Sequence, residues 1–232
     1  MKAPETNEDF IQWYEDCWAD RDEVEYPKLF GQISEDVTLL EGTGLLESWL
    51  ETGRESGLTT LEEIDPNWLP MGVRAAPPSP EYPYWTYVTS GLSNPFTVAP
   101  GDEIAEGTVS GLGYEMVIHT TEEDRWPVLR LLDMMAYNLV CAKLFGVGHR
   151  YPVEGTLTGG ESKLNGFVFV TDPSRPAHFQ LESGKVQLLT LVGVTKNEMA
   201  FSRSNGMERL MDKLVKAGTG YITHPEREQV QL

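Results

Sequence analysis

The chain has 232 residues and a formal net charge of −18, a length that fits one large domain or one domain with an extension. No run approaches the roughly 18–20 apolar residues of a membrane-spanning helix. A charge this negative repels phosphate backbones and argues against direct nucleic-acid binding. The charge is unevenly placed: residues 1–70 hold 18 Asp/Glu against four Lys/Arg, and residues 71–232 hold 18 against 14. It fits either plain solubility or a basic protein partner. The first residues, Met1 to Asp9, lack the apolar stretch of a secretory signal. Cys17 and Cys141 each lie among apolar neighbours at helical spacing and read as free buried thiols, so the cytoplasm is the expected location.

Taken in order, Thr6 is placed to cap a helix beginning near Asn7, with Glu8 and Asp9 complementing its dipole. Phe10, Trp13, Tyr14, Cys17 and Trp18 make an aromatic stripe at helical spacing, read as core. Asp36 to Leu40 fits a short strand, Gly44 to Leu50 a short helix, and Gly53 to Asp65 an acidic, irregular segment. Met71 to Ala75 reads as an edge strand entering the proline-rich loop Pro77 to Pro83. Tyr84 to Thr89 is rich in aromatic and β-branched residues and reads as a strand, ended by a turn at Gly91 to Pro95. Pro100-Gly101-Asp102 is another turn.

The stretch from Gly111 to Phe145 has the densest apolar pattern. Leu112, Tyr114, Met116 and Ile118 alternate with Gly113, Glu115, Val117 and His119, the period of a half-buried strand. From Pro127 the period changes to helical, with Val128, Leu131, Leu132, Met135, Leu139 and Ala142 on one face. Gly146-Val147-Gly148 breaks that helix, and Gly155 to Gly160 is a flexible loop. Phe167 to Val170 and Ala177 to Leu181 are short strands. Lys185 to Thr195 is apolar on both faces and should be a central strand covered by helices on each side. Thr195 with Glu198 makes a capping box. Met207 to Lys216 is a second helix, Tyr221 to Thr223 a short strand, and the last residues fray.

No catalytic, metal or cofactor motif emerges. Gly91-Leu92-Ser93 lacks the flanking glycines of a nucleophile elbow. Gly159 to Lys163 lacks the spacing of a phosphate-binding loop, and Gly111-Leu112-Gly113 precedes a strand, not a helix. His119, His149, His178 and His224 are dispersed, with no metal-ligand spacing. Glu122-Glu123-Asp124 reads as solvated charge in a turn. Glu115 sits mid-strand, where an unpaired charge is costly, so a buried partner is expected.

Several of these pieces, in order, resemble the suppressor-of-fused domain family. They are Trp85 to Ser93, Gly111 to Met116, Trp126-Pro127 heading the long helix, Asp172-Pro173, Gly184 with Leu191 to Thr195, and Tyr221 to Thr223. The resemblance covers about Met71 to Arg227. It implies an α+β fold, a twisted mixed sheet packed by helices on both faces as in that family's N-terminal domain. It also implies a protein that acts by binding protein, with no known catalytic activity. Animal members bind a zinc-finger transcription factor in Hedgehog signalling and add a second domain that helps grip an extended peptide; this chain is too short for that arrangement. Many short bacterial relatives look like immunity proteins that neutralise a toxin. The chain then divides into an acidic, partly helical segment 1–70 packed on or extending the core, a suppressor-of-fused-like domain 71–228, and a frayed tail 229–232.

Carried over by position, the family's peptide-contacting helical tyrosine falls on Tyr137, its Gly-Asp-His acid on His149, and the acid before Asp-Pro on Thr171. Two of the three lose negative charge, which argues against the animal-type ligand. Tyr137 can equally be core. The leading expectation is a non-enzymatic, cytoplasmic protein-binding module, in its most concrete form an immunity protein against a basic toxin. The alternatives are a small-molecule enzyme with a site near Glu115 and His119, and a plain scaffold subunit.

Overall fold

Thr6 starts the first helix where its side chain predicts, accepting the backbone N–H of Asp9. A computed structural model describes residues 1–57 and 70–232. Helix α1 (Asn7–Ala19) continues into a π-helical stretch (Asp20–Glu25) and then α2 (Tyr26–Phe30). The aromatic stripe is core: Trp13 and Cys17 are buried with Ala3 and Ile104, and Phe10 and Tyr14 pack against them. After the two-residue strand β1 (Thr38–Leu39), α3 (Leu45–Ser56) runs beyond the expected end at Leu50, so the segment from Gly53 begins as helix. The rest of that segment, from residue 58 to 65, lies outside the described residues.

Seven further strands follow: β2 (Gly72–Ala76), β3 (Trp85–Ser90), β4 (Val109–Thr120), β5 (Arg150–Pro152), β6 (Gly166–Val170), β7 (His178–Leu181) and β8 (Gly184–Val194). Helix α4 (Trp126–Cys141) separates β4 from β5, and α5 (Lys196–Asn205) and α6 (Met207–Lys216) follow β8. The strands form one mixed sheet in the order β1-β2-β3-β4-β8-β6-β5, with β7 paired to β8. Among the described strands β4 and β8 are the parallel neighbours, at the centre, and the other pairs are antiparallel. This is the expected mixed sheet with helices on both faces.

Several expectations are corrected. The Met71–Ala75 strand is not an edge, because β1 pairs with Gly72 and Val73. Strand β5 lies between the glycine breaker and the Gly155–Gly160 loop and is not foreseen, since three residues carry too little pattern to show a period. The long helix stops at Cys141, where Ala142 takes a left-handed backbone (φ 49°). Tyr221 to Thr223 forms no strand, only a single bridge from Thr223 to Thr120. At the C-terminus, expected to fray, Val230 is buried and its N–H donates to Glu198 Oε1 at 2.9 Å.

Strand β4 is buried on both faces, not one. Tyr114, Met116 and Ile118 face α4, together with Phe167, Phe169, Leu189 and Leu191. Val117 faces the other way, into a core built by Tyr26, Leu29 and Phe30 of α2. A third core packs Val168, Val192 and Val194 against α5 and α6 through Met199, Leu210 and Leu214. On β4's second face the buried partner expected for Glu115 is Arg21 of the N-terminal segment, while His119 packs against Tyr84 and Thr86. Near the start of β4 the register shifts between Val109 and Tyr114. Gly111 (φ 56°) sits in this bulge, and a Cβ there would lie 2.3 Å from Asn94 O and 2.5 Å from Leu92 O.

Covering that face requires pairing its charges, and the N-terminal segment supplies the cation. Arg21 is fully buried; its Nε donates to Asp22 Oδ1 at 2.7 Å and its Nη2 to Ser90 Oγ at 2.9 Å. Its Nη1 donates to Asn94 Oδ1 at 2.5 Å and lies 3.8 Å from Glu115 Oε1. Asp22 also receives Arg74 Nη2 at 3.1 Å. Burial would raise the Asp22 carboxyl, but Arg21 outweighs it and holds Asp22 below the usual carboxylate range. Removing one partner of such a cluster leaves a buried charge uncompensated. Arg21→Met should therefore cost about 3–5 kcal/mol in urea unfolding. Adding Glu115→Gln removes one stranded charge, so the double variant should lose less than the sum of the two single losses; strict additivity would contradict the pairing.

A second clasp holds the C-terminus. Arg227 Nη1 and Nη2 donate to Glu198 Oε1 and Oε2 at 2.7 and 2.6 Å, and Thr195 N–H donates to Oε2 at 2.9 Å. Burial would raise the Glu198 carboxyl, but Arg227 and the N–H groups of Thr195 and Val230 hold it below its ordinary value. A depressed carboxylate stabilises the fold above the unfolded value of about 4.3, and that contribution is lost as pH falls through the folded value. The melting-temperature gap between wild type and Glu198→Gln should thus be widest near neutral pH and shrink on acidification. A gap that widens in acid would sink this account.

Candidate functional site

The end of α4 is positioned from inside the core. Tyr114, on the face of β4 opposite Glu115, donates its hydroxyl to Asn138 Oδ1 at 3.0 Å and accepts the N–H of Phe145 at 3.2 Å. Asn138 Nδ2 in turn donates to Lys143 O. These bonds fix the turn that carries Lys143, Leu144 and Phe145 off the helix. The next turn is tied to β6, where Gly148 N–H donates to Phe169 O at 2.8 Å and Phe169 N–H to His149 O at 3.0 Å. Arg150 then staples β5 to α5: its Nε donates to Ser202 Oγ and its Nη2 to Ser202 O, both at 2.6 Å.

Between these pieces opens a cleft of about 720 Å³, bordered by Trp49 of α3, Tyr137 of α4, the turn from Lys143 to Phe145, Gly148 to Pro152, and Arg203 of α5. Its floor is aromatic. Tyr137 stacks on Phe145 (5.8 Å between centroids) and meets Trp49 and Tyr151 edge-on at 5.1 and 5.6 Å. Phe145 stacks on Phe169 at 4.6 Å. Trp49 is locked by its indole N–H, which donates to Asp133 Oδ1 at 2.9 Å. Burial pushes the Tyr137 phenol up, so it is neutral near pH 7. Its hydroxyl has no protein partner among the described residues. Leu144 borders the cleft 53% exposed, a large apolar side chain turned to solvent, and Val147 in the next turn is exposed at 49%.

The structure brings Tyr137 and His149 into this one cleft, Tyr137 half-buried in the floor and His149 exposed on the rim. Thr171 does not border it. It is half-buried two residues past Phe169, beyond the end of β6 and beside a different groove at Asp172 and Pro173. Trp49, Lys143, Arg150, Tyr151 and Arg203 were not singled out from the sequence. They come from four separate stretches, and only the fold makes them neighbours.

Glu115 and His119 do not form a site together. Glu115 is fully buried; its Oε2 accepts Thr89 Oγ1 at 2.5 Å, and its Oε1 accepts the Ser93 hydroxyl at 2.6 Å and the Ser93 N–H at 2.8 Å. Burial raises its pKa above the ordinary value despite Arg21. His119 accepts or donates at Nδ1 with Thr86 Oγ1 (2.9 Å), while its Nε2 lies 3.6 Å from Asp172 Oδ2, too far for a good hydrogen bond. Burial lowers its pKa, so the ring is neutral near pH 7. His119 borders the groove of about 400 Å³ lined by Tyr82, Tyr84, Asp172 and Tyr221. Among the described residues no cluster of three His, Cys, Asp or Glu is arranged for a metal, and no helix is long and apolar enough to cross a membrane.

A family model described as suppressor of fused protein matches residues 67–228. No curated protein matches the sequence. Among solved structures, the chain is similar to one from the Sufu-Fu complex, with a TM-score of 0.58 and 19% identity over 79% of this chain and 91% of that one. It is similar to a suppressor of fused homolog from Neisseria gonorrhoeae, with a TM-score of 0.53 and 18% identity over 80% of this chain and 94% of that one. Drosophila Suppressor of Fused gives a TM-score of 0.55 and 19% identity over 68% of this chain but only 42% of that one.

The tyrosine hydrogen bonds set the cleft's shape. Tyr114→Phe leaves Asn138 Oδ1 and the Phe145 N–H without that partner, so a loss of about 1–3 kcal/mol is expected in denaturant unfolding. Hydrogen exchange should speed up at the Phe145 amide and leave β8 amides protected to the level of the new global stability. Unchanged Phe145 protection would show that the turn is held by something else.

Proposed function

The chain belongs to the suppressor of fused family, and from that premise we propose that it works by binding a protein segment in the aromatic cleft between α3, α4 and β5. One observation carries the reading: the cleft joins an aromatic floor, a Tyr137 hydroxyl without a protein partner among the described residues, and the exposed Leu144, the composition of a buried anchor site with a polar rim. Strand β5 adds a main-chain edge beside it, since it pairs with β6 on one side and ends the sheet on the other. Tyr137 and His149 contact the partner, and Thr171 extends the contact past the end of β6. The binding needs no catalytic group. Two free buried cysteines suit a reducing compartment such as the cytoplasm.

The narrower form of the reading is an immunity protein that covers a basic toxin with its acidic first third. It requires that co-expression with a toxin from the same host restore growth, and that reversing acidic residues of α1 such as Glu8 and Asp16 weaken the rescue. Rescue indifferent to those charges would remove the electrostatic part.

For the cleft itself, the tagged chain should retain a native-host protein that Tyr137→Ala loses. A central aromatic anchor of this kind is worth about 2 kcal/mol or more on truncation, roughly thirtyfold in affinity. His149→Ala, on the exposed rim, should weaken binding less and leave the melting temperature unchanged. If Tyr137→Ala stays folded and binds the same partner at full strength, the cleft is not the site.

A further inference from the structure

This inference rests on the reading of the cleft as the binding site and names what enters it. The chain carries 36 Asp and Glu against 18 Lys and Arg, yet among the described residues the charged side chains bordering the cleft are Lys143, Arg150 and Arg203, with the His149 ring beside them. Lys143 and Arg203 are exposed and have no carboxylate partner among the described residues. Among the described residues Arg150 donates to neutral oxygens, on Ser202 and Gly148, and has no carboxylate partner there. Asp133 lies behind the floor, occupied by the Trp49 indole N–H, and burial pushes its carboxyl toward the neutral form. The groove at Thr120 to Asp124 has the opposite sign, with Glu122, Asp124, Glu161, Glu226 and Glu228 around Lys163, which is itself paired to Glu228.

Three unpaired cations gathered over one aromatic floor repel each other until an anion is placed between them. An anion there gains from all three, because a concave surface lined by one sign of charge focuses the field on what enters it. We propose that the cleft takes an extended acidic segment of a partner protein, seating one aromatic or aliphatic side chain on Tyr137, Phe145 and Tyr151 while flanking carboxylates face Lys143, Arg150 and Arg203. The sign of the binding surface is thus opposite to the sign of the chain.

Three fluorescein-labelled peptides of roughly nine residues, each with a central Phe flanked by Glu, by Ser or by Lys, test this by anisotropy against the full chain. The acidic peptide should bind about tenfold or more tighter than the neutral one, and the basic one weakest. Lys143→Glu with Arg203→Glu should abolish the acidic preference without changing the melting temperature, since both side chains are exposed. Lys196→Glu with Lys216→Glu makes the same change in net charge away from the cleft and should leave the preference intact. Equal binding of the three peptides, binding of none, or equal weakening by both charge reversals overturns the proposal. If the acidic preference is absent while Tyr137→Ala still loses the native partner, this inference fails and the binding reading stands; if Tyr137→Ala also retains that partner, both fail.

Discussion

The ion cluster of Arg21, Asp22, Arg74 and Glu115 is the constraint on which the rest of the structure depends. A carboxylate in the middle of a central strand is tolerated only with a cation and enough donors beside it. Thr89, Gly91 and Ser93 supply the donors from the adjacent strand and turn. The cation comes from the π-helical stretch, far away in sequence. The N-terminal segment is therefore a structural half of the core: Tyr26, Leu29 and Phe30 bury Val88 and Val117 on the same face. The family match starts at residue 67, yet the charge that balances its Glu115 lies at Arg21.

The same strand carries the opposite instruction on its other face. Because side chains alternate, Glu115 is turned toward the N-terminal helices and Tyr114 toward α4. Tyr114 reaches the last turn of α4 and sets where Lys143 to Phe145 leave it. Fixing β4 by its ion cluster thus also fixes the turn that makes one wall of the cleft. The remaining wall comes from Arg150 and Ser202, which join β5 to α5 without any charge of opposite sign. A cleft held by packing and neutral hydrogen bonds keeps its cations available.

Where the sequence had a long period, it was legible. The aromatic stripe of α1, the helix from Pro127 and the doubly apolar β8 all follow from spacing, and the Thr195–Glu198 capping box forms with both of its hydrogen bonds. Where a feature depends on a distant partner, the pattern stops short. Alternation sets Gly113, Glu115, Val117 and His119 apart from the apolar stripe, and the cost of a mid-strand charge predicts the buried partner that Glu115 has, but nothing local says that the partner is Arg21. Arg21 stands among acidic residues in a chain region of net charge −14, and nothing local marks it as buried. Of the cleft, only Tyr137 and His149 were reachable, through resemblance and not through pattern. Trp49, Lys143, Arg150 and Arg203 converge from α3, the turn after α4, β5 and α5, and no window of sequence contains them together.

Charge shows the same limit more sharply. Net charge is a sum over the surface, and at physiological ionic strength it acts over a Debye length of about 8 Å. A partner segment inside the cleft is governed by the groups within that distance, and among the described lining those are cations. The acidic residues of α1 govern a different surface, and the first approach of any partner. The two signs are compatible in one protein because they act at different ranges. On the proposed reading, net charge acts on the approach of a partner and the local inversion over Tyr137, Phe145 and Tyr151 acts on what settles there. His149, on the rim, adds no carboxylate to that lining, and none of the described residues bordering the cleft is an acid.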